Sequence, residues 1–267
     1  MIPPLDDLRR AAVELAREAG ELTLGHFGSR LSPDRKGDGT PVTVADREAE
    51  ALLRKRIRER FPGHGILGEE EGEEPGDLPL RWILDPIDGT RSFMRGVPLY
   101  TVLIGIEVEE EPSVGVIHCP ALDETVSAAT GSGCHWRRGG PAALDRPGRV
   151  SDVDRLSEAV ALLTDLEAVL ESPVGAGWRR LAGQARFSRG WGDAYGHLLV
   201  ATGRAEIMVD PELAPWDAAP LLPILREAGG RFTDLEGGET IHGGSGTSTN
   251  GRLHRQVLEI LAGRAQG

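Results

Sequence analysis

The chain is poor in features that would each point to a different kind of function. It has two cysteines, Cys119 and Cys134. Their spacing matches neither a disulfide framework nor a paired metal-ligand motif, and so few thiols in a chain this long fit a reducing compartment. Both read as ordinary buried residues. Bases are scarce as well: 30 Lys and Arg stand against 42 Asp and Glu, giving a formal charge of -12 and a pI near 5.1. Binding by neutralisation of phosphate backbones needs a clustered basic excess, so nucleic acid is disfavoured as a partner. No apolar run is long enough to cross a bilayer, and the N-terminus, MIPPLDDLRRAAVELAREAG, has acids early and no unbroken apolar stretch. The chain reads as cytoplasmic. Lysine is the scarcest base, present only as Lys36 and Lys55, which makes Lys36 conspicuous.

What is present suffices for a core. At 267 residues and 39% hydrophobic content, the chain can form one large domain or two smaller ones sharing an interface. Leu5, Leu8, Ala12, Leu15, Ala19 and Leu22 recur at three- and four-residue intervals, predicting an amphipathic helix over 5–28. Thr43 looks like an N-cap, and Ala49, Leu52, Leu53, Ile57 and Phe61 continue a second helix. From Ile66 the pattern becomes short apolar runs, at 66–67, 82–84, 97–108, 113–118, 125–129 and 134–137, separated by Gly, Pro and acidic turns. These read as strands of an antiparallel sheet. The Gly- and Pro-rich stretch 139–152 reads as a surface connection. It divides the chain into an N-terminal α+β domain, 1–145, and a C-terminal α/β domain, 146–267. In the second, strand-like segments (159–163, 186–188, 205–209, 230–233) alternate with helix-like ones (177–185, 193–202, 215–228, 253–261).

The strongest local signal is Trp82-Ile-Leu-Asp85-Pro-Ile-Asp88-Gly-Thr90, in which an apolar strand delivers two carboxylates three positions apart. Pro86 fixes one backbone angle between them, so both can point into one small volume. Two ionised carboxylates that close repel unless a cation lies between them. Oxygen ligands without His or Cys select a hard ion such as Mg²⁺. The alternative is an Asp-rich turn capping a following helix. Gly68-Glu69-Glu70 ends an apolar run, and Trp216-Asp217 opens a helix-like segment after Pro215. Acids at three separate element ends fit a site of two or three ions, although each also fits a cap or turn. If a helix starts at Gly89-Thr90, Asp88, Gly89 and Thr90 form a phosphate cradle from free amides at a positive dipole end. Metal carboxylates beside such a turn indicate phosphoryl chemistry.

As a set, Gly68-Glu69-Glu70, Asp85-Pro-Ile-Asp88-Gly-Thr90, Trp216-Asp217 and Ala228-Gly229-Gly230 resemble the inositol monophosphatase-like phosphatases, which share a fold with fructose-1,6-bisphosphatase. The likeness covers nearly the whole chain in order. It implies a mixed α+β and α/β fold, a layered α-β-α-β-α sandwich, with Mg²⁺ dependence and a homodimer. It further implies that Glu69, Asp85 and the carbonyl of Ile87 hold one ion, that Asp85, Asp88 and Asp217 hold a second, and that Glu69 holds a weaker third. Glu69 and Thr90 would then position and activate the attacking water. Thr43-Val-Ala-Asp46 matches the family's T-x-x-D element, in which Asp46 supports Thr90 by a hydrogen bond; it equally reads as an acidic capping box. Lys36 matches a lysine on a mobile loop.

Three stretches resemble the bacterial histidinol-phosphate phosphatases in particular: Lys36-Gly-Asp-Gly-Thr-Pro-Val-Thr43, Asp88-Gly-Thr-Arg91-Ser-Phe-Met-Arg95-Gly-Val-Pro98, and Gly192-Asp193-Ala-Tyr195-Gly-His197 on through Asp210-Pro211. Histidinol phosphate carries an amino group and an imidazole, which suits acids at the mouth. Asp193, Asp210 and Arg91 are the expected substrate contacts, against an N-cap for Asp193 and a surface guanidinium for Arg91. The seven histidines read as peripheral. The rival substrates are inositol 1-phosphate or sugar phosphates, because rim residues set the choice. A catalytically silent binding homologue would need a broken ligand set, and no expected carboxylate is missing.

Overall fold

The computed structural model of the protein describes residues 2–29, 34–35, 41–140 and 143–263. Lys36 lies outside the described residues. The chain opens with α1 (Leu5–His26), followed by a two-stranded ribbon, β1 (Asp34–Arg35) and β2 (Pro41–Val42), and then α2 (Val44–Arg60). Leu8, Ala12, Leu15 and Ala19 of α1 and Ala49, Leu53 and Ile57 of α2 are buried, so the predicted apolar stripes are the packed faces.

The first sheet comprises β3 (Gly65–Gly68), β4 (Gly72–Glu74), β5 (Leu80–Asp88), β6 (Thr101–Val108), β7 (Glu111–Cys119), β8 (Glu124–Ala129), β9 (Gly133–Arg138) and β10 (Arg146–Pro147). Their spatial order is β10-β9-β8-β7-β6-β5-β3-β4. Every pairing is antiparallel except β3 with β5. Between β5 and β6 lies the short helix α3 (Thr90–Met94). The strand expected over 97–108 begins at Thr101 and not at Val97.

The second sheet holds β11 (Val160–Leu163), β12 (Phe187–Arg189), β13 (Ile207–Asp210), β14 (Arg231–Thr233) and β15 (Gly246–Thr249), in the order β12-β11-β13-β15-β14. The helices of this half are α4 (Leu166–Glu171), α5 (Gly175–Gln184), α6 (Asp193–Ala201), α7 (Pro215–Ala218), α8 (Leu221–Glu227) and α9 (His254–Leu261). One helix was expected over 215–228. The chain instead makes two, broken around Ala219 and Pro220, where proline removes an amide donor.

Period-two alternation sorts the side chains into layers. Trp82, Leu84, Val102 and Ile104 pack with α1 and α2, whereas Ile83, Leu103, Ile117 and Val126 face α6 and α8. In the second sheet Leu162 and Met208 join that inner core, and Ala161, Leu163, Ile207 and Val209 pack outward against α5 and α9. The result is α1/α2, sheet, α6–α8, sheet, α5/α9, the expected five layers. The division expected at 145/146 falls at β10, which pairs with β9; across it, one inner core mixes side chains from both sheets.

Two cross-strand partners, Gly105 and Gly115, let the junction of α7 and α8 lie against the first sheet. A Cβ at Gly115 would sit 2.2 Å from the Pro220 carbonyl oxygen, and one at Gly105 would sit 2.6 Å from the Ala219 Cβ. The backbone at Pro220 cannot yield as a side chain does. Gly115→Ala is expected to cost about 1–3 kcal/mol, lowering Tm by roughly 2–4 °C per kcal/mol. Because the displaced helix carries Asp217, metal affinity should fall with it. An unchanged Tm and metal titration would show that the junction is not held this closely.

Candidate metal and phosphate site

Residues 85 and 88 are an odd number apart, so in a regular strand their side chains would lie on opposite faces. The register prevents this. Asp85 pairs with Leu103 and Asp88 with Thr101, leaving one extra residue on β5. This bulge, at Pro86 and Ile87, brings both carboxylates to the inner side. Parallel pairing of β3 with β5 sets Gly68 beside Leu84, and the Glu69 amide donates to the Leu84 carbonyl at 3.1 Å. Glu69 thus arrives next to Asp85, as the strand-end reading expected. Asp217 comes from the other side of the inner layer, in the first turn of α7, where its Oδ2 accepts the Ala214 amide at 2.8 Å.

One carboxylate oxygen from each of Asp85, Asp88 and Asp217 lies within 4.8 Å of the others. Among the described residues this is the one group of His, Cys, Asp or Glu donors that converges so closely. Burial drives the Asp85 and Asp88 carboxyls well above the ordinary range and Asp217 up to about 7. Repulsion then adds to it, from Glu69, Asp88 and Asp217 at Asp85 and from Asp193 and Asp217 at Asp88. Asp85 lies against the carboxyls of both Glu69 and Asp217. Such contacts between acids require protons where no cation is present. The donor set therefore fits a hard divalent ion.

Fixed donors hold these groups in place. Asp88 Oδ2 accepts the Thr101 hydroxyl and the Ala194 amide, both at 2.8 Å. The second bond sets the N-terminus of α6, with its positive dipole end, against a metal carboxylate. Asp85 Oδ1 accepts the Ile87 amide at 3.0 Å. The turn after Glu69 is held by the buried Glu50, which accepts the Glu70 and Glu71 amides at 2.8 and 3.0 Å. Sequence reasoning missed Glu50. Its signal was an acid paired at i,i+4 with Arg54 on the buried stripe of α2.

A cavity of about 330 Å³ opens over the cluster. Of the expected site residues, Glu69, Asp85, Ile87, Asp88, Gly89, Thr90, Arg91, Asp193, Asp210 and Asp217 all line it. Gly89 has φ 80°, and a Cβ there would fall 2.8 Å from Asp193 Oδ2, so glycine is needed both for the turn and for the approach of Asp193. Thr90 Oγ1 donates to the Ile87 carbonyl at 3.1 Å. For Asp46 the capping-box reading is seen: its carboxylate accepts the Thr43 amide and hydroxyl, closing a capping box on α2. Asp46 is nonetheless near enough to Glu69 for the two charges to repel.

At the rim, Asp193 is the first residue of α6, with Gly192 as the cap position. Its φ is 52°, a strained value for a non-glycine residue. Its amide donates to Thr164 Oγ1 at 2.8 Å. Burial, followed by repulsion from Asp210, raises its carboxyl to about 6. Arg91, whose side chain is 80% exposed, reaches Asp165 at 3.3 Å across the mouth. Thr164, Asp165 and Glu212 also line the cavity and were not anticipated; Asp165 is at the same time the cap of α4, its side chain accepting the Glu167 and Ala168 amides. The histidines are not all peripheral: His197 is fully buried and bonds Asp210.

The inositol monophosphatase family model matches residues 4–265. The chain belongs to the inositol monophosphatase family. It is 46% identical to the histidinol-phosphatase of Chlorobaculum parvum, covering 94% of this chain and 95% of that one. Identity to the histidinol-phosphatase of Mycobacterium tuberculosis is 41%, over 96% and 98%. Among solved structures, the extragenic suppressor protein suhB of Bartonella henselae superposes with a TM-score of 0.87 at 30% identity, covering 96% of this chain and 98% of that one. As a member of this family the chain is a metal-dependent phosphomonoester hydrolase. No helix among the described residues is long and apolar enough to cross a membrane.

Two outcomes test the site. The raised carboxyls mean that the metal-free fold holds protons the unfolded chain releases, so its stability falls as pH rises from about 4 to 7. Metal binding expels those protons, so affinity should tighten over the same interval by roughly tenfold per pH unit for each proton displaced. Calorimetry in buffers of different ionisation enthalpy checks this, and pH-independent affinity with no proton release would refute it. Asp88→Asn should lower turnover by about 10³-fold or more, the scale of losing a charge-stabilising group. Its metal-free Tm should be unchanged or higher, since one repelling charge is gone. Normal metal-dependent activity in that variant would sink the site.

Proposed function

We propose that the chain hydrolyses L-histidinol phosphate to L-histidinol and phosphate, using two to three Mg²⁺ ions. The observation that carries this reading is the acidity of the cavity lining outside the metal carboxylates. Asp165, Asp193, Asp210 and Glu212 line the cavity beyond the cluster, and Arg91 is the one base lining it among the described residues. A wall so acidic suits a substrate whose alcohol part is cationic, as the amino group and imidazole of histidinol are. The sequence likeness to histidinol-phosphatases supports the same reading.

In this reading Glu69, Asp85 and the Ile87 carbonyl would hold one Mg²⁺; Asp85, Asp88 and Asp217 would hold a second; Glu69 would hold the weaker third. Bound there, the ions would lower the pKa of water and neutralise charge on the phosphoryl and leaving oxygens. The chain's own groups do the rest. Thr90, whose hydroxyl proton goes to the Ile87 carbonyl, offers its lone pairs to orient a water, and Glu69 accepts that water's proton. The water oxygen attacks phosphorus in line, the ester P–O bond breaks, the departing alcohol oxygen takes a proton from a solvent water, and Glu69 returns the proton it accepted to solvent. Gly89 and Thr90 at the start of α3 cradle the phosphate beside Asp88. Asp46 acts at one remove, on the Glu69 side of the site. Asp193 and Asp210 take the cationic end of the substrate, with Arg91 shaping the mouth. The family likeness also supports a homodimer, with a cytoplasmic location and two lobes, 1–145 and 146–267.

A turnover assay with histidinol phosphate, inositol 1-phosphate, fructose 1,6-bisphosphate and adenosine 3',5'-bisphosphate decides the substrate. Histidinol phosphate should give the highest kcat/KM. A higher value for any other ester would overturn the reading.

A further inference from the structure

His197 has no part in the chemistry described above, yet it is 0% exposed, in the core between the two sheets. Its neighbours on α6, Leu198, Leu199 and Val200, are apolar. A buried imidazole costs more there than another leucine unless both ring nitrogens find partners. Both do. Nε2 lies 3.0 Å from Asp210 Oδ2, and Nδ1 lies 2.6 Å from Ser248 Oγ. Phe232 meets the ring edge-on at 6.1 Å. Ser248 is itself fully buried, in the middle of β15, where the side chains of Thr247 and Thr249 also bond inside the fold. A carboxylate accepts and a serine hydroxyl can donate or accept, so the two contacts are satisfied together with the Nε2 hydrogen turned to Asp210 and Nδ1 turned to the serine. Asp210 ends β13 and lines the cavity while only 3% exposed. With Oδ2 committed to the imidazole behind it, Oδ1 is the oxygen left for a ligand.

We infer that His197 is a positioning residue for substrate selection: held by Ser248, it fixes the rotation of Asp210 and directs Oδ1 at the cationic end of the substrate. This deepens the proposed function and rests on it through the role given to Asp210. The energetic logic is that a carboxylate repelled by Asp193 and free to rotate would hold an ammonium less well than one anchored from behind by a charge-assisted hydrogen bond.

The test compares His197→Asn, His197→Gln and Ser248→Ala in the full chain with Mg²⁺, on histidinol phosphate and on glycerol 2-phosphate, whose alcohol is uncharged. A glutamine amide reaches the place of Nε2 and can still donate to Asp210; an asparagine amide reaches only the place of Nδ1. The selectivity ratio, kcat/KM for histidinol phosphate over that for glycerol 2-phosphate, should fall about tenfold in His197→Asn, on the scale of one charge-assisted hydrogen bond. The loss should enter through KM more than kcat. His197→Gln should restore most of it, and Ser248→Ala should show a smaller loss of the same sign even if His197→Asn folds poorly. Equal losses on both substrates, or equal behaviour of the Asn and Gln variants, would mark His197 as structural only and overturn the inference. A wild-type chain active on glycerol 2-phosphate but inert to histidinol phosphate would instead remove the substrate reading, and this inference with it.

Discussion

Mutual repulsion among Asp85, Asp88 and Asp217 is the constraint on which the rest of the structure depends. Their oxygens converge within 4.8 Å, with Asp85 buried and Asp88 and Asp217 half-buried, so little water is left to screen them. Among the described residues, no lysine or arginine enters the cluster to relieve this. The fold relieves it with oriented donors, the Thr101 hydroxyl and the Ile87, Ala194 and Ala214 amides, and leaves the remaining charge for a cation. A site unstable without its metal is thereby selective for one.

Holding such a cluster requires rigid elements converging from the first sheet and the inner helices. β5 contributes two carboxylates through one bulge, β3 delivers Glu69 by parallel pairing, and the inner helices contribute Asp217 and the α6 amide. The inner helices are also the shared core of the two sheets. Metal binding and sheet-to-sheet packing are therefore coupled, and the cavity lies where the two halves meet. Strain at Asp193 is placed beside this junction, against the Asp88 and Thr164 contacts of α6 that hold it.

Much of this was legible in the sequence. The stripes of α1 and α2, the runs of the first sheet and the acids at element ends have strong local signals, and ten expected residues line one cavity. Three things were not legible. β15, Gly-Thr-Ser-Thr, has no apolar pattern, yet it is buried as an interior strand because its hydroxyls bond inside the fold. Asp46 carried two readings of one motif, and the capping box uses its carboxylate. His197 looked like any histidine in an apolar run, since nothing nearby in sequence announces Asp210 or Ser248.

The sequence by itself determined the chemistry: oxygen ligands in family order, a proline between two of them, and a glycine followed by a threonine. Those are properties of residue type and short spacing, which the local chain enforces. Tertiary structure decided which face each acid presents, through a one-residue bulge, and which groups stand behind the substrate acids, through contacts between residues such as His197 and Ser248 far apart in the chain. Facing and support depend on register and layer packing, and neither is written in any single segment.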